Sequence, residues 1–300
     1  MVLLLEGEAV ALTRRQFLQT SVSGLTAALV IPTLQAGSIQ SQTLRIALLH
    51  LAPIPGDISH NRNLVKQAVT TAAGLGAEWI TLPELIICGY SFADIIGTEW
   101  ILPQPDPWMV GFCKLVAQLR VTVFLSHPER DHQTDKLYNT VFIIDPDGKI
   151  LGKHRKINAL KVGSESWSTP GEVAVPFSVS PFKSVGILIC ADAYSSSICT
   201  RLQAQGAQLL VSAAAWAPGL HGPSGEWERC TQETGVPLLV CNRTGADRTL
   251  DFTRAESVVV KDGKRLLSFS SERSAIVVID WNLETQNLAT PVYQTVYLEH

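Results

Sequence analysis

The sequence predicts an α/β protein in which two mixed β-sheets pack face to face and helices cover their outer sides. Short apolar strands alternate with helical segments along most of the chain, as in units of parallel strands joined by crossover helices. Two turn sequences, Asp145-Pro146-Asp147-Gly148 and Asp262-Gly263, add antiparallel hairpins to this alternation. A single doubly wound sheet would contain fewer hairpins, so we favour two sheets.

The first half of the chain contains three strands, two helices and a hairpin in this prediction. A strand over 44–50 is followed by a helix over 61–74, where apolar residues recur at helical spacing until Gly74 and Gly76. A strand at 77–82, a helix at 108–119 and a strand at 121–125 come next. The hairpin pairs 138–144 with 149–154.

The second half repeats the alternation. We expect strands near 173–179 and at 185–189, 207–212 and 237–241, with helices at 197–205 and 225–234. A last hairpin pairs 256–260 with 265–270, and a strand at 274–280 closes a sheet. The tail from residue 283 has little pattern, and one expectation is that it reaches a partner subunit.

The composition indicates a globular protein that binds neither nucleic acid nor a structural metal. The 300 residues are 46% hydrophobic and 17% charged, which suits a large core and argues against disorder. The net charge is −3 and no long basic run occurs, whereas phosphate binding needs clustered Lys and Arg. The six cysteines form no Cys-x-x-Cys pair and do not cluster with histidines, so we expect no metal site.

The N-terminal segment resembles a twin-arginine export signal. Arg14-Arg15 is followed by Phe17-Leu18 and by a mildly apolar stretch, 21–34, that is short for a membrane-spanning helix. We therefore expect residues 1–36 to be a signal peptide and residues 37–300 to form one domain. The mature protein would work in the periplasm or an equivalent compartment, without a stable membrane anchor. The alternative is an ordinary N-terminal helix of a cytoplasmic protein.

Three reactive residues stand at the ends of predicted strands. Glu84 follows one strand, Lys156 follows the second strand of the first hairpin, and Cys190 ends the apolar run 184–189. Because strand ends converge on one edge of a sheet, a cluster of these side chains is geometrically reasonable. A carboxylate can take the proton of a thiol, and an ammonium can stabilise the oxyanion formed when that thiol attacks an amide. Each residue taken alone is more typical of core packing, a helix cap or a surface charge than of catalysis.

Together these segments resemble the motifs of the nitrilase superfamily, also called carbon–nitrogen hydrolases. Leu82-Pro83-Glu84-Leu85 resembles the glutamate motif, Lys153-His154-Arg155-Lys156-Ile157 the lysine motif, and the stretch from Gly186 to Asp192 the cysteine motif. The stretch from Glu165 to Gly171 resembles the segment that holds a second family glutamate. The similarity extends from about Leu44 to about Asp280.

The resemblance implies an α-β-β-α sandwich, commonly a homodimer, that acts on a small-molecule amide without a metal or organic cofactor. Cys190 would be the nucleophile, and Glu84 the general base and then acid. Lys156 and the backbone N–H of Ala191 would stabilise the oxyanion, and Glu165 would be a supporting acid. Hydrolysis would pass through a thioester and release ammonia or an amine, then a carboxylic acid.

Departures from the family pattern bear on the substrate. Ala191-Asp192 follows the cysteine where nitrile-hydrolysing members usually carry Trp-Glu, which favours an amide over a nitrile. Tyr194 is followed by Ser195-Ser196-Ser197 where the family often has Pro and Glu. Side chains with the size and chemistry to bind substrate near these motifs are Trp167, Ala191, Tyr194 and Trp216.

Other functions stay open at this point. The altered sequence after Tyr194 is compatible with a catalytically inactive binding protein on the same scaffold, and a nitrile hydrolase or an acyltransferase with a soluble acceptor is a further alternative. His221 suggests a Cys/His protease pair, although nothing around Cys190 resembles a protease. Since an oxidising compartment threatens a reactive thiol, we expect Cys190 to be recessed and Cys199 not to be its disulfide partner.

Overall fold

The structure is a computed structural model that describes residues 42–160, 163–248 and 250–299. The predicted signal peptide, residues 1–36, lies outside the described residues. Within the described ranges, no helix is both long enough and apolar enough to cross a membrane.

The secondary structure follows the predicted alternation of strands, helices and hairpins. In chain order the elements are β1 (Thr43–His50), α1 (Ile58–Gly74), β2 (Trp79–Thr81), α2 (Ala93–Ile96), α3 (Pro107–Leu119), β3 (Thr122–Arg130), β4 (Leu137–Ile144), β5 (Ile150–Arg155), β6 (Phe177–Val179), β7 (Phe182–Ile189), α4 (Ser196–Ala204), β8 (Leu209–Ala214), α5 (Glu226–Thr234), β9 (Leu238–Asn242), β10 (Ser257–Lys261), β11 (Lys264–Phe269), β12 (Ala275–Asn282), β13 (Asn287–Leu288) and β14 (Gln294–Tyr297).

The described residues form two mixed sheets. The first has the order β13-β12-β1-β2-β3-β4-β5, with β14 also paired to β12. Its central strands β1, β2 and β3 run parallel, and the outer pairs are antiparallel. The second sheet has the order β11-β10-β9-β8-β7-β6, with β7, β8 and β9 parallel. In each sheet the parallel strands are followed by loops at the same edge, where side chains from different strands can meet.

Side chains that alternate along each strand point to opposite faces of the sheet, so each sheet packs against the other sheet on one face and against helices on the other. In β1, Ile46 and Leu48 belong to the core between the sheets, together with Ile187 and Ile189 of β7. The intervening residues of β1 face the other way and pack with the apolar faces of α1 and α3. On the second sheet, α4 lies close to β7, because a Cβ at Gly186 would come within 3.0 Å of Leu202. The result is an α-β-β-α sandwich, which confirms the predicted fold class.

Two segments differ from the predicted secondary structure. The C-terminal tail, for which no element was predicted, contains β13 and β14, and both pair with β12 in the protein's own sheet. The strand expected near 173–179 is confined to Phe177–Val179. Val173 and Val175 are exposed, and Pro176 has no N–H to contribute to a sheet.

Candidate active site

Glu84, Lys156 and Cys190 come together where the two sheets meet. Glu84 follows β2, Lys156 directly follows β5, and Cys190 directly follows β7 of the other sheet. The backbone N–H of Glu84 donates to the carbonyl of Ala214 at the end of β8, at 3.2 Å, so this segment bridges the sheets. The Glu84 and Lys156 side chains are fully buried, and Cys190 is 6% exposed.

Lys156 is held between two carboxylates. Its Nζ donates to Oε1 of Glu84 at 2.8 Å and to Oε2 of Glu165 at 2.7 Å. Burial by itself lowers the pKa of this ammonium, but the attraction of Glu84 and Glu165 outweighs burial and raises the pKa well above its usual value. Lys156 is therefore a permanent positive charge in the site.

The pKa of Glu165 is subject to opposing influences. Its side chain is fully buried, like those of Glu84 and Lys156. Burial raises the pKa of this carboxyl, and the neighbouring Glu84 adds to that effect. The hydrogen bonds from Lys156 and Asn139 lower the pKa but do not cancel the increase. Two carboxyl groups around one ammonium thus make protonation of Glu165 easier than for a carboxylate in water.

Asn139 of β4 is a member of this cluster that the sequence analysis missed. Its Nδ2 donates to Oε1 of Glu84 at 2.7 Å and to Oε1 of Glu165 at 2.9 Å. The backbone carbonyl oxygen of Asn139 also accepts a hydrogen bond from the backbone N–H of Lys156 at 2.8 Å. The available signal was an amide side chain in the middle of a strand that is otherwise mostly apolar. Buried polar side chains at such positions need partners.

The second oxygen of Glu84 points toward the nucleophile candidate. Oε2 accepts a hydrogen bond from the backbone N–H of Ala215 at 2.9 Å. The same N–H also interacts with the thiol of Cys190. The carboxylate and the thiol therefore converge on one backbone group, which places a base beside a nucleophile.

Cys190 occupies a sharp turn that Asp192 holds in place. The cysteine has a φ of 46°, in the left-handed region that residues with a side chain seldom adopt. Asp192 Oδ2 accepts from the backbone N–H of Ile189 at 3.0 Å and lies 2.9 Å from Nε2 of His154. Its Oδ1 accepts the backbone N–H groups of residues 157 and 158, directly after Lys156. One buried carboxylate thus fixes the cysteine turn against the lysine segment.

The electrostatics of the site keep the thiol of Cys190 protonated at rest. Burial raises its pKa, the carboxylate of Glu84 raises it further, and the opposing effect of Lys156 is smaller. A protonated thiol is a weak nucleophile, so reaction requires a base that removes the proton during attack. The carboxylate of Glu84, which shares the N–H of Ala215 with the thiol, has the chemistry for that transfer.

A cavity of about 550 Å³ opens onto Cys190. Three of the four residues expected to bind substrate line it, Ala191, Tyr194 and Trp216, together with Tyr90, Leu160, Ala215, Ala217, Pro218, Gly219, Leu220, His221, Gly222 and Leu250. Trp167 is not among the lining residues. Its ring packs edge-on against Phe92 with centroids 5.1 Å apart. Among the described residues, no group of His, Cys, Asp and Glu is arranged to hold a metal ion.

The cysteines near the site are divided between one disulfide and free thiols. Cys199 of α4 is bonded to Cys230 of α5, so these two helices on the second sheet are joined covalently. Cys190 is buried and free. The expectation that Cys190 is recessed and does not pair with Cys199 is confirmed.

Comparison with known proteins gives a consistent family. Residues 45–286 match the family model described as carbon-nitrogen hydrolase. A probable nitrilase of Schizosaccharomyces pombe is 23% identical over 259 residues, which are 84% of this chain and 93% of that protein. A formamidase of Bacillus thuringiensis is 26% identical over 204 residues, which are 67% of this chain and 57% of that protein.

Solved structures share the fold. A nitrilase-superfamily protein of Saccharomyces cerevisiae, Nit3, superposes with a TM-score of 0.70 at 22% identity, covering 80% of this chain and 90% of that one. An amidase of Nesterenkonia sp. superposes with a TM-score of 0.68 at 24% identity, covering 80% of this chain and 90% of that one.

Proposed function

Since this chain belongs to the carbon–nitrogen hydrolase family of the nitrilase superfamily, we propose that it hydrolyses a small amide through a thioester on Cys190. The products are a carboxylic acid and ammonia or an amine. The observation that carries the proposal is the buried cluster of Glu84, Lys156 and Glu165 beside a cysteine that borders a cavity.

The first step in this proposal is attack by sulfur. An amide in the cavity presents its carbonyl carbon to Sγ of Cys190, and Glu84 takes the thiol proton while the C–S bond forms. Because the pKa of the thiol is raised, the proton leaves only in concert with attack. The electron pair of the C=O bond moves to oxygen, and the charge is stabilised by the Lys156 ammonium and the backbone N–H of Ala191.

The second step releases nitrogen, and the third consumes water. As the tetrahedral intermediate collapses, the C–N bond breaks and Glu84 returns its proton to the leaving nitrogen. Glu84 then takes a proton from water, whose oxygen attacks the thioester. The C–S bond then breaks, Glu84 gives its proton to Sγ of Cys190, and the carboxylic acid departs. Glu165 and Asn139 act through their hydrogen bonds to Lys156 and Glu84, which they keep in position.

Several observations support an amide as the substrate and Cys190 as the reactive residue. Relatives of the chain include formamidases, and in one solved form of the Nesterenkonia amidase the acetamide moiety of fluoroacetamide is covalently attached to the active site cysteine, which is the nucleophile in that adduct. Asp192, which stands near where nitrile-hydrolysing members have Trp-Glu, is fully buried and occupied by structural hydrogen bonds. Among the described residues of the site, none specifically favours a nitrile or an acyl acceptor other than water.

We also propose that the mature protein works after export, in an oxidising compartment, and as a homodimer. The disulfide between Cys199 and Cys230 supports the compartment, because disulfides persist where thiols are not kept reduced. The dimer rests on the family resemblance, and light scattering of the purified protein tests it.

The test of the proposed activity is ammonia release from short amides, ureido acids and nitriles. Wild type should release ammonia from at least one amide, and Cys190→Ala should show only the background rate. Cys241→Ala is a matched control, because Cys241 is also buried and free but lies in β9 and does not line the cavity. Equal rates for wild type and Cys190→Ala on every substrate would contradict the proposal.

A further inference from the structure

We infer that the substrate is an uncharged amide whose acyl group carries an apolar chain or ring of several carbons. Formamide, and amides with a carboxylate on the acyl group, should be poor substrates. This inference rests on the proposed function, since it identifies the substrate class of the same site. Its basis is the size, the hydrogen bonding and the charge of the cavity next to Cys190.

The cavity is large for a one-carbon acyl group. Its volume of about 550 Å³ falls within the range of pockets that enclose ligands of many atoms. Most of the wall consists of hydrocarbon and aromatic surface, contributed by Leu160, Trp216, Pro218, Leu220 and Leu250 among others. A formyl group would leave most of this surface in contact with water, whereas a longer apolar group would cover it.

The polar atoms of the aromatic wall are already engaged. The hydroxyl of Tyr194 and Nε1 of Trp216 both donate to the backbone carbonyl of His221, each at 2.8 Å. The hydroxyl of Tyr90 donates to Oε2 of Glu165 at 3.4 Å. The rings of Tyr194 and Trp216 meet edge to face with centroids 4.7 Å apart. These residues therefore offer the substrate their ring surfaces and not free hydrogen-bond donors.

The charges around the cavity oppose an anionic acyl group. No Lys or Arg is present among the described residues that line it. At its base, the carboxyls of Glu84 and Glu165 surround the single ammonium of Lys156. Arg229 is nearby, but its guanidinium donates to the backbone carbonyls of residues 193 and 194. Since none of the described lining residues is a Lys or Arg, a substrate carboxylate would lose its water without an ammonium or guanidinium partner among them, which is costly.

The experiment compares amides that differ in one property at a time. Formamide, acetamide, butyramide and hexanamide vary the length of the chain, and adipamate has a carboxylate in place of the terminal methyl of hexanamide. We expect kcat/KM of the wild-type enzyme to rise by about fourfold for each added methylene. Adipamate should be at least about tenfold poorer than hexanamide. In parallel, calorimetry measures the binding of hexanamide, adipamate and formamide to Cys190→Ala.

The outcomes separate this inference from the proposed function. Cys190-dependent hydrolysis that is fastest with formamide or adipamate would overturn the inference and leave the function intact. Hydrolysis of no amide would contradict the function, and the calorimetric measurement would then decide the inference. Tighter binding of hexanamide than of adipamate and formamide supports it, and equal or reversed affinities overturn it.

A pair of variants tests whether the wall of the cavity sets the preference for an uncharged acyl group over an anionic one. Leu220 lines the cavity and is 94% exposed, so Leu220→Arg introduces a cation at the rim without disturbing the core. We expect the ratio of hexanamide to adipamate kcat/KM to fall by about tenfold in this variant. Leu151→Arg is the control, because Leu151 is exposed on β5 and does not line the cavity. An unchanged ratio in Leu220→Arg would contradict the assignment of the wall.

Discussion

The side-chain amide nitrogen of Asn139 lies 2.7 Å from Oε1 of Glu84, the same oxygen that accepts a hydrogen bond from Lys156. Asn139 and Lys156 each bridge Glu84 to Glu165, so two donors connect two buried carboxyl groups in a closed network. Like charges this close repel each other, and the shared donors are what keep both carboxyls in fixed positions. The proposed base is therefore oriented by an amide as well as by an ammonium.

Replacing Asn139 by Leu should slow the reaction without greatly weakening substrate binding. We expect kcat to fall by about tenfold to a thousandfold, by analogy with the loss of one active-site donor, and KM to change by less than about threefold, as expected when a group bound to the base is lost. The pKa of Glu165 is already raised, and loss of the Asn139 donor raises it further. Because protonation of Glu165 weakens its ion pair with Lys156, activity should be lost at a higher pH than in wild type, and the acidic limb of the pH–rate profile should move to higher pH.

The control for this variant is Thr140→Val. Thr140 is adjacent in β4 and equally buried, but its hydroxyl donates to Glu129 outside the cluster. A lower rate in Asn139→Leu with an unmoved acidic limb would show that the amide only supports the fold.

Asp192 should contribute to stability through its charge. Asp192→Asn removes a buried carboxylate that accepts several hydrogen bonds, and we expect the free energy of unfolding to fall by about 3–5 kcal/mol at about pH 7. Burial raises the pKa of Asp192, but His154 and the backbone N–H groups outweigh it, and the pKa is lowered. The stabilisation is thus present above the unfolded pKa of about 4 and is lost as pH falls through the lower folded value.

Urea unfolding measured across this pH range checks the sign of the pH dependence. The difference in the free energy of unfolding between wild type and Asp192→Asn should narrow only below about pH 4. Asp280→Asn is the comparison, because Asp280 forms a partly exposed ion pair with Arg45 and should change stability by less than about 1 kcal/mol. If Asp192→Asn lowers the free energy of unfolding by no more than Asp280→Asn does, the structural role given to Asp192 is refuted.

The disulfide between Cys199 and Cys230 should stabilise the protein with little effect on its chemistry. The two cysteines are separated by 31 residues, and by the chain-entropy argument removal of the disulfide should cost about 3.7 kcal/mol. Neither cysteine lines the cavity, so kcat at about 25 °C should change by less than about twofold. Unfolding of Cys199→Ser/Cys230→Ser is measured beside wild type with and without reductant.

The half-buried free thiol Cys113 supplies the comparison, since Cys113→Ser should unfold like wild type in either condition. If reductant leaves wild-type stability unchanged, the disulfide is either absent or without effect, and this prediction is wrong.

Cys190 should react slowly with electrophiles that do not resemble an amide. Its raised pKa leaves little thiolate near neutral pH, and the thiolate fraction increases as pH rises toward the pKa. Inactivation by methyl methanethiosulfonate should therefore be slower at about pH 7 than the reaction of a cysteine peptide, and should still be accelerating at about pH 9. The assay uses Cys113→Ser so that the half-buried thiol does not contribute. A rate that levels off below about pH 7 would mean that Cys190 is a stable thiolate.

The cluster of Glu84, Lys156 and Cys190 was predictable because of where the strands end. Glu84 and Cys190 follow apolar strands, Lys156 follows the second strand of a hairpin marked by its turn sequence, and the three motifs occur in family order. Asn139 was not predictable in this way, because it lies inside a strand and takes part through a hydrogen bond that crosses to the neighbouring loops. The N–H of Ala215 is a backbone group, and no side chain in the sequence marks it.

Tertiary packing explains the remaining differences between the predictions from sequence and the structure. Trp167 follows Glu165 closely in sequence, yet its ring packs against Phe92 and not along the cavity, since a large aromatic residue is equally suited to a core and to a wall. Cys199 and Cys230 lie on different helices, so their pairing follows from how α4 and α5 pack on the second sheet. The pairing of β14 with β12 likewise depends on a tertiary contact between segments with weak local patterns.

Acylation of Cys190 is tested most directly by weighing the enzyme during turnover. The substrate is the p-nitrophenyl ester of hexanoic acid, whose leaving group needs no proton, and the enzyme is Glu84→Gln at about pH 9. Loss of the Glu84 charge lowers the raised pKa of the Cys190 thiol, so that the thiolate forms without the base, and the missing base slows hydrolysis of the thioester. Acid-quenched Glu84→Gln should gain the mass of one hexanoyl group on the peptide that contains Cys190, and hydroxylamine should remove it. Glu84→Gln/Cys190→Ala should gain no mass. An acyl group on another residue, or hexanamide turnover by Cys190→Ala at the wild-type rate, would contradict the mechanism.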